Sequence, residues 1–166
     1  LSHGSFYAPE REIHIEQITS RNGNIIKPRI EKSKTEQQKR VRQKAEVFTQ
    51  SWICNVQNNL FDNAWFGKNS PFNIEDEINK TWQASTEKIS FSNETNKSWQ
   101  DYVKVTRLEI TCGEAPYITS RYDAVTGEYI AVQNRIGLLD RKLRFVNENI
   151  DKKEEWLEWA KIADQN

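Results

Sequence analysis

The chain has no methionine, and only two cysteines, six glycines and four prolines in 166 residues. Cys54 and Cys112 are far apart and show no metal-ligand spacing, so the sequence indicates neither a disulfide framework nor a metal centre. That sparing use of cysteine suits a reducing, intracellular compartment. No apolar run approaches the ~18 residues of a membrane span, and no signal-peptide pattern is seen. A cytoplasmic setting with no membrane partner is therefore expected. Charge of one sign is not in excess: 24 basic residues balance 24 acidic ones. This balance removes any whole-chain attraction for nucleic acid or membrane. None of Pro9, Pro28, Pro71 and Pro116 has a neighbouring proline. The first residue is Leu1, and a piece of a longer protein is the expectation.

What is present points to a folded body with a thin core. Hydrophobic residues make up 36% and charged residues 29%, yet there are six Trp, seven Phe and five Tyr. Disordered chains are poor in aromatics. Charge is also unevenly placed. Between Lys27 and Lys44 stand eight basic residues, against only Glu31 and Glu36.

Along the chain, Ile13 and Ile15 alternate with polar neighbours, Asn22-Gly23 offers the positive φ angles of a tight turn, and Ile25, Ile26 and Ile30 follow. This pattern predicts a β-hairpin over 10–30. His14 falls inside its first strand as a surface residue. Residues 33–47 read as a polar helix capped by Ser33 or Thr35. Residues 51–66 read as a helix with Trp52, Ile53, Val56, Leu60, Ala64 and Trp65 as its buried stripe, Cys54 packed beside it, and Gly67 ending it. Two short strands are expected around 81–84 and 88–91, and a turn at 92–96. Within that turn Asn93 and Thr95 fit a glycosylation pattern that is idle inside a cell. A short helix is expected at 98–105 with Trp99, Tyr102 and Val103 on one side, and a hairpin or paired loop at 125–130. A helix over 135–147 follows, and a last helix starts from a capping-box-like Asp151 and Glu154, with Trp156, Leu157, Ala160 and Ala163 as its inner face. No internal repeat is found.

The most informative stretch is Thr106-Arg107-Leu108-Glu109-Ile110-Thr111-Cys112-Gly113-Glu114-Ala115-Pro116-Tyr117. It reads as a short strand running into a small-residue turn, where a ligand can approach the backbone closely. Upstream stands Lys44-Ala45-Glu46-Val47-Phe48-Thr49, followed by Ser51-Trp52-Ile53-Cys54-Asn55. Taken singly, Phe48 is an ordinary core aromatic, Gly113 an ordinary turn glycine and Glu109 a solvated strand-edge charge. Their order changes the weight of each.

The two segments resemble the cofactor-side motif and the glycine-turn motif of adenine-specific DNA methyltransferases from bacterial restriction–modification systems. The subgroup in question is that of restriction endonuclease subunit M. Arg121-Tyr122-Asp123 and Arg135-Ile136-Gly137-Leu138-Leu139-Asp140-Arg141-Lys142-Leu143 fit the same subgroup, and the likeness runs over residues 25–163. It implies an α/β fold: the N-terminal portion of a Rossmann-like S-adenosylmethionine-dependent methyltransferase, with residues 1–32 as a tail and hairpin and 33–166 as the start of a methyltransferase domain with an incomplete sheet. It implies that Phe48 packs on the cofactor and Thr49 binds its carboxylate end. Thr111, Cys112 and Gly113 would wrap the methionine moiety, with Glu109 or Glu114 near its amino group. Double-stranded DNA and a restriction subunit are the implied partners.

Two departures bear on activity. Gln50 stands where the family has proline. The family's catalytic Asn/Asp-Pro-Pro-Tyr/Phe motif is absent, so no catalytic residue is assigned and the chain alone is expected to be inactive. The alternative is a non-enzymatic nucleic-acid-binding module that uses Lys39, Arg40 and Arg42 of the basic segment to neutralise phosphates. A degenerate interaction protein that kept only the packing is a third possibility.

Overall fold

A computed structural model describes residues 5–8, 10–25, 27, 29–69, 71–91, 96–110, 114 and 116–166. Among them it is mixed α/β, with five α-helices and one two-stranded antiparallel sheet. The helices are α1 (Lys34–Lys44), α2 (Ser51–Phe66), α3 (Trp99–Lys104), α4 (Leu138–Asn149) and α5 (Lys153–Gln165). The strands β1 (Asn73–Asp76) and β2 (Thr81–Ala84) pair with Asn73 opposite Ala84 and Asp76 opposite Thr81. No described helix is long and apolar enough to cross a membrane.

Among the described residues of 10–30 no hairpin strand forms. Residues 10–30 instead make 3-10 turns at Ile15–Gln17, Ser20–Asn22 and Arg29–Glu31. The physical reason lies at the expected turn. Gly23 sits at φ −58° in the right-handed region, not at the positive φ a two-residue hairpin turn needs. Ile13 and Ile15 are 81% and 68% exposed, so no sheet face is buried that would fix strand register.

Helix α1 is polar all round and buries nothing, as its composition predicts. Ser33 caps it by accepting a hydrogen bond from the Glu36 N–H, and Ala45 ends it in a left-handed conformation. Helix α3 carries a capping box between Ser98 and Asp101, with Tyr102 and Val103 buried as expected. Helix α5 departs from expectation at its start. Lys152 is the N-cap and no side chain caps it, so the Asp151–Glu154 box is absent. Ala163 is buried, while Leu157 on the expected inner face is half exposed.

The core lies where the C-terminal end of α2 meets α3, α4 and α5. Phe66, Phe72, Tyr102 and Phe145 stack on one another with ring centroids 5.2–5.9 Å apart, and Val103, Val146, Ile150 and Ala163 close around them. Trp99 packs on Trp159 at 4.7 Å. Residues 88–91 form no strand. Ile89 is buried in this core instead, and its N–H donates to Glu148. The partner of β2 is therefore the earlier segment 73–76. Residues 92–95, with the Asn93–Thr95 pattern, lie outside the described residues.

Helix α2 buries its polar side most deeply, while Trp52, Ile53, Val56 and Trp65 of the expected stripe are half-buried, Trp65 against the core. The buried residues are Ser51, Cys54, Asn55, Asn58, Asn59, Asp62 and Phe66, a stripe at helical spacing made almost wholly of polar groups. Of the predicted stripe, Leu60 is 64% exposed and Ala64 is exposed too. The inward polar face is compatible with burial because most of its groups are hydrogen-bonded, although Asn59 Oδ1 has no partner. Asn55 and Asn59 meet the Asn73 side chain, and Asn58 donates to two backbone carbonyls.

Candidate cofactor site

Phe48-Thr49 leads directly into α2. Gln50 is the N-cap of that helix but makes no side-chain cap bond. The cap comes from elsewhere: the Asp123 carboxylate accepts from the Ser51 N–H at 2.7 Å. Its second oxygen accepts from the N–H groups of Val125 and Thr126 at 2.9 and 2.7 Å. Burial alone would raise the Asp123 pKa, but these donors outweigh it and hold the carboxyl below its ordinary range. Gly127 closes the same turn at φ +77°, and Tyr122 bridges to Tyr129, in keeping with the paired loop expected at 125–130.

Residues 117–120 are fixed against the start of α4. The Tyr117 carbonyl accepts from Asn58 Nδ2 of α2 at 3.1 Å and from the Leu138 N–H at 2.9 Å. The Ser120 hydroxyl accepts from the N–H groups of Ile136 and Gly137 at 2.7 and 3.0 Å. Gly137 permits this approach, since a Cβ there would collide with the Ile118 carbonyl oxygen.

So held, the Tyr117 ring reaches α2. Its hydroxyl donates to the Gln57 side chain and stands against Cys54 and Thr49. Burial raises the Tyr117 pKa; Cys54 and the Glu109 charge add to the rise, and the Thr49 hydroxyl opposes it. Burial likewise pushes the Cys54 thiol up to about 11, with the hydrogen bond to Tyr117 opposing and Glu109 and Asp123 adding. Cys54 has no exposed surface and is the packing residue its sequence position predicts.

A second link joins the same two segments. The Arg29 guanidinium lies over the Phe48 ring, 5.3 Å from its centre. The Arg29 N–H donates to Glu114 Oε1 at 2.7 Å, and its Nη1 reaches the Val125 carbonyl at 3.4 Å. The structure thus brings Phe48, Thr49, Glu109 and Glu114 into one neighbourhood, bridged by Arg29 and Tyr117. Thr111, Cys112 and Gly113 lie outside the described residues.

Residues 105–110 form no paired strand. Their exposure alternates: Arg107 and Glu109 turn inward, while Leu108 and Ile110 are 82% and 84% exposed. A groove of about 670 Å³ runs beside them, with Phe61, Trp65, Leu108 and Leu138 as apolar walls and Glu109 and Tyr117 on its polar edge. Its size is that of an ordinary small-molecule site, about 300–1,000 Å³.

No family model, curated protein or solved structure matches the chain.

Behind the groove lies a buried ionic hub. Asp62, with no exposed surface, accepts from the Tyr102 hydroxyl at 2.8 Å and from Arg107 at 3.0 Å, and pairs with Arg141. Arg141, 2% exposed, also donates to Asn55 at 2.9 Å and lies over Phe72. The hub ties the 105–110 segment to α2, α3 and α4. Among the described residues no group of His, Cys, Asp and Glu is placed to hold a metal ion. His14 is exposed, and its N–H bonds to Gln17.

The basic candidates separate. Arg40 forms a two-point pair with Glu46 at 2.8 and 2.7 Å, so its charge is already compensated. Lys39 and Arg42 are exposed on α1 and enter no ion pair among the described residues.

Sequence reasoning missed Arg29, Asp62 and Asp123 as organising residues. Asp62 had a signal: Asn55, Asn58, Asn59 and Asp62 recur at three- and four-residue steps, a polar stripe that apolar-pattern reading passes over.

Proposed function

We propose that this chain carries part of the S-adenosylmethionine site of a DNA adenine N6-methyltransferase from a restriction–modification system. The single observation that supports this reading is a small-molecule-sized groove lined by Glu109 and Tyr117, with Thr49 against the Tyr117 hydroxyl. Tyr117, at the end of the segment that resembles the glycine-turn motif, hydrogen-bonds Gln57 of α2, the helix that follows Phe48-Thr49. In this reading the groove takes the apolar body of the cofactor. Thr49 bonds its carboxylate, and Glu109 or Glu114 pairs with its amino group. Arg29, stacked on Phe48, keeps that ring oriented. The remaining parts belong to a Rossmann-like domain with DNA and a restriction subunit as partners, working in the cytoplasm. The chain supplies no base-holding Asn/Asp-Pro-Pro-Tyr/Phe motif, so its expected contribution is cofactor binding without methyl transfer.

Calorimetric titration with S-adenosylmethionine tests this directly. Saturable binding that Thr49→Ala weakens supports the reading. No binding, or binding indifferent to Thr49→Ala and Glu109→Gln, overturns it for this chain. A second reading, a nucleic-acid-binding module, draws on the uncompensated cations of α1.

A further inference from the structure

The basic segment around α1 divides by helix face. Lys34, Gln37, Gln38, Val41 and Arg42 recur at steps of three, one, three and one, the spacing of neighbours along one helix side. Lys39 and Arg40 fall off that side. With Arg29 from the preceding turn, these five residues line a groove of about 370 Å³. Its lining holds three cations and two amides, and no carboxylate. Of the neighbouring carboxylates, Glu114 accepts from the Arg29 backbone N–H. Glu31 and Glu36 line a separate groove with Lys32 and Arg40, and Glu46 is engaged by Arg40.

We propose that the groove between Arg29 and α1 binds a phosphate of a nucleic-acid backbone, with Arg29, Lys34 and Arg42 as its cations. Two properties fit that ligand. Arg29 is pre-oriented, its guanidinium lying over Phe48 with Nη1 on the Val125 carbonyl, and its backbone N–H fixed to Glu114. A planar guanidinium held in place suits a phosphate better than a mobile ammonium does. Lys34 and Arg42 are exposed and enter no ion pair among the described residues, so they neutralise a phosphodiester without first losing a partner. The groove offers no group arranged to read a base edge, so the contact positions a strand and carries no sequence information. The inference rests on the reading in which DNA is the partner.

The test measures binding of a fluorescent DNA duplex by anisotropy over a range of low salt concentrations. The whole chain is compared with Lys34→Gln, Arg42→Gln and Lys39→Gln. All three substituted residues are exposed, and each change removes one charge. The expected result is that Lys34→Gln and Arg42→Gln each reduce the slope of log affinity against log salt by about 1, whereas Lys39→Gln leaves it unchanged. Inorganic phosphate at millimolar concentration is the competing probe and should displace the duplex only weakly. Equal effects at Lys39 and Arg42 overturn the proposal in favour of diffuse attraction. No duplex binding also overturns it, and so does tight binding of inorganic phosphate alone. Titration of the same variants with S-adenosylmethionine separates the two readings. Cofactor binding with no DNA effect sinks only the phosphate site, and the converse sinks only the cofactor site.

Discussion

The carboxylate of Asp123 caps helix α2 from 72 residues away, accepting the Ser51 N–H at 2.7 Å. Three donors in all converge on this one side chain. It thereby joins the turn at 123–127 to the mouth of the helix that carries the cofactor candidates.

Asp123→Ala is expected to destabilise the protein by about 0.5–2 kcal/mol, the range for loss of a helix cap. Thermal or urea denaturation measures it. The pH dependence has a defined sign. The folded carboxyl titrates below its ordinary value, so its contribution is fully present above the unfolded pKa of about 3.9 and is lost as pH falls through the folded value. The difference between wild type and variant should therefore shrink on acidification below about pH 4. A constant difference from pH 7 to pH 2 would show that the cap is not the source.

Asp62→Asn tests the buried hub. The substitution keeps the shape and removes the charge that faces Arg107 and Arg141. Breaking one side of a buried pair costs about 3–5 kcal/mol, a loss that urea denaturation resolves. Should the variant fail to fold, Arg107→Met reports on the same hub from its more exposed edge, and a loss of at least about 1 kcal/mol is expected there.

Lys142 gives the protein an alkaline signature. Its ammonium donates to the Val105 carbonyl at 2.6 Å and is 1% exposed. Burial, with the Arg107 charge adding, lowers its pKa to about 8. Between about pH 8 and the unfolded value of about 10.4, the unfolded chain binds more protons than the folded one. Stability from this residue therefore rises with pH across that window and is lost as pH falls through about 8. Urea midpoints of wild type and Lys142→Met from pH 7.5 to 9.5 should show this rise in the wild type alone. Parallel curves would assign the slope to other groups.

Cys54 should be chemically silent. With its thiol at about 11 and no exposed surface, little thiolate forms near neutrality. In a Cys112→Ser background, reaction with a disulfide reagent at pH 8 is expected to be on the order of a hundredfold slower in the native protein than in urea. Comparable rates would mean that α2 opens readily.

The helices were legible wherever local rules decide them. Ser33, Ser98 and Gly67 mark boundaries that the structure keeps, and the packed pair Tyr102 and Val103 followed from spacing. The hairpin at 10–30 was misread because alternation of isoleucines signals a strand only when something covers one face, and nothing does. The buried face of α2 was misread because an apolar stripe was assumed to point inward. Asn55, Asn58, Asn59 and Asp62 go inward instead, since partners from β1, α3 and α4 await them. No local pattern announces partners that arrive from later in the chain. The same limit hid Asp123 and Arg29, whose roles depend on contacts 72 to 96 residues distant. Phe48, Thr49, Glu109 and Glu114 were nameable from sequence, while the bridges that bring them together were not.

A helix seated by an oily stripe can slip or rotate by part of a turn at modest cost, because apolar contact has little directional preference. Helix α2 has no such freedom. Asn55, Asn58, Asn59 and Asp62 act like the wards of a key: any other azimuth would strand their polar groups among the aromatic rings of the core. Thr49 at the mouth of the helix and the Asp62 hub near its base are therefore locked in relative phase. Small adjustments of the outer apolar surface around Leu60 and Phe61 should leave that alignment undisturbed.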